Sequence, residues 1–522
     1  MDDHGAYYCY WYCLAAVLPL VYFLLNLKPL WKRPAASNSI ALGLPPGPWK
    51  LPVIGSIHHL LVRGSHVHHT LRDLSLLHGP LMFLKLGQIP VVVASTPAAA
   101  KELMKTHDAI FSARPISTAM EIIYKDGRGL VFTPNDQHWR QLRKICVVEL
   151  LSAKRVLSFR PVREEVASRM VEAISSSTTT TTASPLVDVG MLVSMYVADA
   201  SVHAVLGRRL KDQDAFLHRL DQVVQLAGRL TPRDLFPTST LVRVLSRRAI
   251  REIEACQQSL FTFMDGVIRE HLERKSHGEE EEEQENMIDV LLRIQQEGNL
   301  QFPLTTRTIE AVIFDLMGAG VESGSTTLHW AMAELMRHPA IMSKAQAEIR
   351  GVFMGQNKVT EERLRLGELS YLELIIKETL RLHPPGPLMI PRECQEQCRV
   401  LGYDVPKGAV VLVNVWAIGR DPDNWEEPDA FNPDRFLGDA RDFKGSDFDL
   451  LPFGAGRRVC PGMAFGLASM ELALANLLFH FDWSLPEGVG PSELDMTETM
   501  GITARRKADL LLSATPRVPH PC

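Results

Sequence analysis

Apolar residues recur at helical spacing over long stretches of this chain. The recurrence predicts helices over 97–107, 137–150, 158–175, 245–273, 305–338 and 462–480. Strand patterns are fewer. LMFLKLGQIPVVVAS (81–95) is β-branched at its core with turn residues inside it, and predicts a hairpin. VLGYDVPKGAVVLVNVWAI (400–418) predicts a second region of short strands. Mostly helix with a small segregated sheet is a mainly α plan, an α-rich α+β fold. One apolar segment stands apart: residues 7–27, YYCYWYCLAAVLPLVYFLLNL, carry no charge, and about 20 such residues span a bilayer as a helix. Its Tyr and Trp suit a membrane interface, and lipid-embedded helices tolerate Pro19. A cleaved signal peptide is the rival, but the start is acidic (Asp2, Asp3) and the cations Lys28, Lys32 and Arg33 follow the apolar run. The expected order is therefore a lumenal stretch (1–6), a transmembrane anchor (7–27), a linker with a proline-rich hinge (28–48) and a cytosolic body (49–522). Pro45, Pro46 and Pro48 make the hinge stiff and extended.

Length and composition refine this little. Of the 522 residues, SSSTTTTTASP (175–185) and KSHGEEEEEQEN (275–286) read as solvated loops. Neither has the punctuation of a domain linker, so the body is expected to be one large domain. A net charge of −5 excludes a nucleic-acid footprint. The eight cysteines (9, 13, 146, 256, 394, 398, 460 and 522) are too sparse for a disulfide framework and fit a reducing compartment. Cys394 and Cys398 lack further zinc-spaced partners and read as incidental thiols.

Three stretches carry candidate chemistry. Within the helix expected over 305–338, MGAGVESGSTT (317–327) places three glycines beside Glu322 and Ser323. Each glycine in a helix costs about 1 kcal/mol relative to alanine. Close helix packing would explain them. So would a helix pressed against a flat group, with proton-handling side chains at the contact. In IIKETLRLHPPGPL (375–388), Glu378 and Arg381 share one helix face among apolar neighbours, and Arg435 of FNPDRF is a candidate third member of a buried cluster. In PFGAGRRVCPGMAFG (452–466), Cys460 follows two arginines and stands among glycines. A packed thiol, a nucleophile and a metal ligand are the usual roles of such a cysteine. Ligation fits best: Gly454 and Gly456 permit close approach of a planar group, a helix expected to start just after Cys460 with Pro461 in its first turn turns its positive end to the thiolate, and Arg458 can neutralise a carboxylate.

Phe453-x-x-Gly456-x-Arg458-x-Cys460-x-Gly462 resembles the haem-binding signature of the cytochrome P-450 family. The family's other landmarks follow in order: Trp139-x-x-x-Arg143, Ala319-Gly320-Val321-Glu322-Ser323, Glu378-x-x-Arg381, Ile390-Pro391-Arg392 and Pro433-Asp434-Arg435-Phe436. The likeness covers about residues 7–515, and its wording resembles the plant clan that oxidises terpenoids, alkaloids and phenolics. It implies a microsomal, endoplasmic-reticulum monooxygenase that binds haem b through Cys460 and holds its propionates with Trp139, Arg143, Arg392 and Arg458. It implies proton delivery to O2 by Glu322 and Ser323. Electrons would come from NADPH through NADPH-cytochrome P-450 reductase, since no nucleotide fingerprint is present, with Arg140, Lys144 and Arg457 expected at the docking face. A hydrophobic small-molecule pocket is expected from 112–124, 215–235, Ala319, Leu388, Met389, Ile390 and Ile502. Ser323 departs from the family's usual Thr. An isomerase or dehydratase on the same fold, or a non-catalytic haem binder, are the alternative readings.

Overall fold

Strands β1 (Leu81–Leu86) and β2 (Ile89–Ala94) form the expected hairpin, pairing antiparallel across Gly87 and Gln88. Gly87 takes a left-handed φ of +62°, which a glycine adopts without steric cost. The computed structural model describes residues 43–62, 66–125, 127–179, 186–209, 213–276 and 285–518. The expected anchor 7–27, and the linker up to residue 42, lie outside them. Within the hinge, Pro46 O accepts the Phe83 N–H at 2.8 Å, and a Cβ on Gly47 would lie 1.9 Å from Phe83 O. The proline segment is thus annexed by the outer edge of β1.

Among the described residues nine further strands complete small sheets: β3 (Leu186–Asp188), β4 (Arg392–Glu393), β5 (Cys398–Val400), β6 (Tyr403–Val405), β7 (Val410–Val413), β8 (Phe481–Ser484), β9 (Glu498–Met500), β10 (Ala504–Arg506) and β11 (Leu511–Pro516). The largest sheet runs β1-β2-β7-β4, with β2 and β7 parallel. A second runs β3-β11-β8, and β5-β6 and β9-β10 are hairpins. The other long elements among the described residues are helices.

The helix expected over 305–338 forms as Thr306–Arg337, 32 residues, roughly 48 Å long. Thr305 caps it, its hydroxyl accepting the Thr308 N–H at 3.1 Å. It is buried along most of its length. The helices expected over 97–107 and 137–150 each finish in a wide turn: Pro97–Lys101 continues into Glu102–Thr106, and Gln137–Ile145 into Cys146–Leu150. The last long helix is Met463–His480.

The glycines of the central helix serve helix packing. A Cβ on Gly324 would lie 3.0 Å from Val197 Cγ1, on Gly318 3.0 Å from Val224 Cγ2, and on Gly320 3.5 Å from Ser201 Oγ. These neighbours belong to the helices Val189–Leu206 and Gln213–Ala227. Of the two readings the sequence left open, close helix packing is the one these glycines follow. They face other helices, and the open face of the central helix is a different one.

Candidate active site

Cys460 sits in a loop whose shape is set by its backbone. Its N–H donates to Phe453 O at 2.9 Å and the Val459 N–H to Gly456 O at 3.0 Å. Gly454 and Gly456 take φ of +71° and +69°. A Cβ on Gly456 would lie 2.4 Å from Met104 O, so a side chain there would push the loop off its support, while one on Gly454 would meet only the movable Met389 Cε and would be strained by the positive φ. Phe453 is half-buried and meets Phe443 edge-on. Cys460 is half-buried. Desolvation pushes its thiol pKa up; the N–H groups of Gly462 and Met463 and the Arg143 guanidinium oppose this by stabilising the thiolate. The regular helix begins at Met463, with Gly462 as its cap, so Pro461 lies ahead of the first turn where it was expected, and the helix's amides still converge on the sulfur.

Around this loop the fold gathers cations. Arg143 Nη2 donates to Val459 O at 2.7 Å, and Arg392 Nη2 to Ala455 O at 2.8 Å. Arg458 donates to Ser112 O and Thr133 O at 2.8 and 2.6 Å and lies 3.9 Å from the centre of the Trp139 ring. Trp139 Nε1 donates to Leu130 O at 2.9 Å. A fourth arginine, Arg114, joins them unforeseen by the sequence reading. It is buried, and it donates to Ile390 O and Pro391 O at 2.6 and 2.8 Å. Burial, then the neighbouring arginines, pushes Arg114 well below its ordinary pKa and Arg458 down to about 9. Guanidinium does not give up its proton in proteins, so the strain is an unmet demand for anions. Asp108 meets part of it, pairing with Arg392 at 3.1 Å and Arg457 at 3.2 Å. A planar group bearing two carboxylates, lying over a thiolate, meets the remainder. Haem has that form, and the residues present fit it.

The central helix opens where Ala319 and Ser323, one turn apart, are the exposed residues between its ends. Ser323 Oγ donates to Ala319 O at 2.8 Å. Glu322 does not share this face. Successive helical residues point about 100° apart, and Glu322 is buried against β10 and the turn before it. Thr503 Oγ1 and Arg505 Nε each donate to its Oε2 at 3.0 Å, Arg505 Nη2 closes on Oε1, and Arg505 also reaches Asp221 at 3.2 Å. The expected acid–hydroxyl pair is thus adjacent in sequence but divided between the open face and an ion pair.

The expected pocket residues cluster unevenly. Met389, with a left-handed φ of +54° rare for a long side chain, presses on Gly454 beside the cysteine loop, and Ile390 follows it into the arginine cluster. Ile502, in the β9–β10 turn, lies against Gly228, where a Cβ would be 3.1 Å from its own. Leu388 packs instead on the sheet cluster of Val91 and Val93. Glu378, Arg381 and Arg435 meet in the interior: Arg381 forms a two-pronged pair with Glu378 at 2.7 and 2.8 Å, and Arg435 Nε joins at 3.0 Å.

Asp315, one turn before Ala319, is a further site residue without a sequence signal. It accepts the Val131 N–H at 3.0 Å, the Leu130 N–H at 2.5 Å and the Tyr124 hydroxyl, fixing the segment that carries Arg458's partners to the central helix. Burial pushes its carboxyl up to about 6 against these hydrogen bonds. A raised acid pKa means the native state binds the proton more tightly. Its contribution to stability is complete below the unfolded pKa near 3.8 and is lost as pH rises through about 6. Asp315→Asn should remove that slope, about 1.4 kcal/mol per pH unit between those limits. Urea unfolding at pH 4.5 and 6.5 should show the variant gaining on the wild type at the higher pH; an unchanged difference at both pH values would rule the titration out.

A mainly helical body, a cysteine loop with amides turned on its sulfur and a collar of four arginines, three of them buried, define a haem-thiolate protein. Residues 45–512 match the family model described as cytochrome P450. The chain is 46% identical to desmethyl-deoxy-podophyllotoxin synthase of Sinopodophyllum hexandrum, over 96% of each chain. It is 44% identical to premnaspirodiene oxygenase of Hyoscyamus muticus, over 97% of this chain and 99% of that one, and 44% identical to dolabradiene monooxygenase of Zea mays, over 97% and 96%. A zebra fish cytochrome P450 structure with progesterone has the same fold, with a TM-score of 0.72 at 24% identity, covering 86% of this chain and 99% of that one. The chain belongs to the cytochrome P450 family. It is a haem-binding monooxygenase that acts on hydrophobic small molecules.

Proposed function

We propose that this monooxygenase inserts oxygen into a plant terpenoid, with electrons from NADPH passed by the membrane-bound reductase at the cytosolic face of the endoplasmic reticulum. The observation that carries the substrate class is the open stripe of the central helix. Ala319 and a single hydroxyl, Ser323, form it, and the other expected lining residues, Met389, Ile390 and Ile502, are apolar. Such a lining offers a hydrocarbon skeleton area to bury and almost nothing to a polar ligand. The printed names of the Hyoscyamus and Zea relatives, oxygenases of premnaspirodiene and dolabradiene, point the same way. Arg140 and Lys144 are exposed on the helix that carries Arg143, and suit an acidic partner face; Arg457 is exposed but already engaged with Asp108.

Haem, when bound, supplies the activation of O2. Cys460 would ligate it, and Arg114, Arg143, Arg392 and Arg458 would hold its carboxylates. Ser323 holds a proton on the open face. Glu322, held as a carboxylate by Arg505, could relay a proton to it only after turning away from Arg505 and taking that proton from solvent, so the ion pair keeps the carboxylate back from the pocket until it opens.

The test uses full-length protein reconstituted in vesicles with a plant reductase, NADPH and isotopically heavy O2, against sesquiterpene and diterpene hydrocarbons and, in parallel, phenolic and alkaloid substrates. Products carrying one heavy oxygen are expected. Oxygenation confined to phenolic or alkaloid substrates would overturn the terpenoid reading, and products without the label would overturn oxygen insertion. In the same assay Glu322→Gln should slow turnover by about a hundredfold, as loss of a proton donor does. Ser323→Ala should waste more NADPH per product; unchanged coupling would remove the hydroxyl from proton delivery.

A further inference from the structure

We propose that His68, His69 and Glu498 form a binding site for a zinc-type divalent cation that ties the β9–β10 hairpin to the helix Val67–His78. None of the three residues belongs to a motif assigned to the haem or to the substrate, although Glu498 lies on the hairpin whose turn carries Ile502. His68 and His69 lie in the first turn of that helix, and Glu498 opens β9. The three side chains converge. His68 Nε2 stands 2.7 Å and His69 Nε2 2.9 Å from one oxygen, Glu498 Oε1, and all three candidate ligand atoms lie within 4.8 Å of one another.

Two neighbouring residues on a helix ordinarily diverge by about 100°. Here both imidazoles bend to one carboxylate oxygen, with Trp416 stacked on His69 at 4.1 Å and edge-on to His68 at 5.2 Å. A second observation comes from hydrogen bonding. His68 is fully buried, yet neither of its ring nitrogens makes a directed hydrogen bond, and Glu498 Oε1 makes none either. The short contacts are close without being aligned as donor and acceptor. Buried polar atoms without partners are costly; two of them, His68 Nε2 and Glu498 Oε1, converge with the half-buried His69 Nε2, and together the three are the donor set of a metal. Two imidazoles and a carboxylate are a three-ligand zinc set that leaves a fourth position open. Bond lengths of about 2.0–2.2 Å require the ligand atoms to part by less than about 1 Å. Nearby guanidinium groups have counter-ions of their own, Arg72 with Asp73 and Arg420 with Asp429. His69 is a third exposed and supplies the entry path.

The consequence reaches the pocket. The clamped hairpin carries Ile502 and Thr503 in its turn and Arg505 in β10, so an ion at its far end would steady the lining residue and both partners of Glu322.

The test is equilibrium dialysis of full-length, haem-loaded protein, stripped with a chelator, against zinc chloride, with zinc per haem read by elemental analysis. Wild type should retain one zinc per haem more than His69→Ala or Glu498→Gln, each weakened by about tenfold or more, while His218→Ala, an exposed histidine elsewhere, should match wild type. Equal zinc in wild type and both variants, or none in wild type, overturns the site. Should a variant lose its carbon monoxide spectrum and so its fold, zinc-edge absorption of the wild type decides: two imidazoles and a carboxylate oxygen are expected, and a shell containing sulfur or lacking imidazole overturns the assignment.

Discussion

Cys460→Ser protein is expected to lose reductase-driven oxygenation by about a thousandfold or more, equivalent to about 4 kcal/mol of transition-state stabilisation, while remaining folded. The loop that carries the residue does not depend on its side chain. It is held by the Cys460 N–H on Phe453 O at 2.9 Å, the Val459 N–H on Gly456 O at 3.0 Å and Arg143 on Val459 O at 2.7 Å. What the substitution removes is the sulfur toward which the Gly462 and Met463 amides and Arg143 are arranged. Thiolate is a soft, strongly donating ligand that favours O–O cleavage, and a serine hydroxyl is neither ionised there nor soft. The reduced variant with carbon monoxide should therefore lack the red-shifted Soret band of thiolate ligation, even where haem is retained by the four arginines. A variant that kept that band, or more than a tenth of the wild-type turnover, would remove Cys460 from the iron.

How much of this site was readable in the chain depends on whether its geometry is local. The cysteine loop is local: its glycines, arginine and cysteine lie within ten residues, so the spacing Phe453 to Gly462 carries the shape. Trp139 and Arg143 are one helical turn apart, and Glu378 and Arg381 nearly so. Arg114 has no such marker. Its role follows from the carbonyls of Ile390 and Pro391, more than 270 positions away. The grip of Arg505 on Glu322 spans 183 positions, and nothing around either residue announces it. The glycines of the central helix were visible, but the sequence left two explanations open. Their small size was plain, but sequence cannot say which face of a helix is crowded, and the crowding came from Val197 and Val224. The helices and the first hairpin were legible because burial imposes a period on the chain. Strands of two or three residues, such as β4 and β9, are too short to show one.

Glu378→Gln is expected to destabilise the protein by about 3–5 kcal/mol, the cost of stripping one partner from a buried ion pair, and to leave most of it without haem. Glu378 and Arg381 are both fully buried. All five N–H groups of Arg381 are engaged: two on Glu378, at 2.7 and 2.8 Å, and the others on Gly419 O, Pro428 O and Ala430 O at 2.5, 2.6 and 3.0 Å. Glu378 also accepts from Asn432 N at 2.8 Å and Arg435 Nε at 3.0 Å. One carboxylate thereby neutralises two guanidinium groups and pins the 419–435 segment to the helix Ser370–Leu382. That segment continues through Trp425, Phe436 and Leu450, which pack together, into the cysteine loop, and Phe443 rests on Phe453 at 5.4 Å. Glutamine would keep the volume but turn an N–H₂ donor toward arginine donors and leave two buried cations without their anion. The loss should appear as a lower urea midpoint and a lower ratio of carbon monoxide-binding haem to protein. Arg435→Lys, which keeps the charge at the edge of the cluster, should lose much less of both. If Glu378→Gln held its haem as well as Arg435→Lys does, the cluster would not be what positions Cys460, and the backbone hydrogen bonds of the loop would suffice alone.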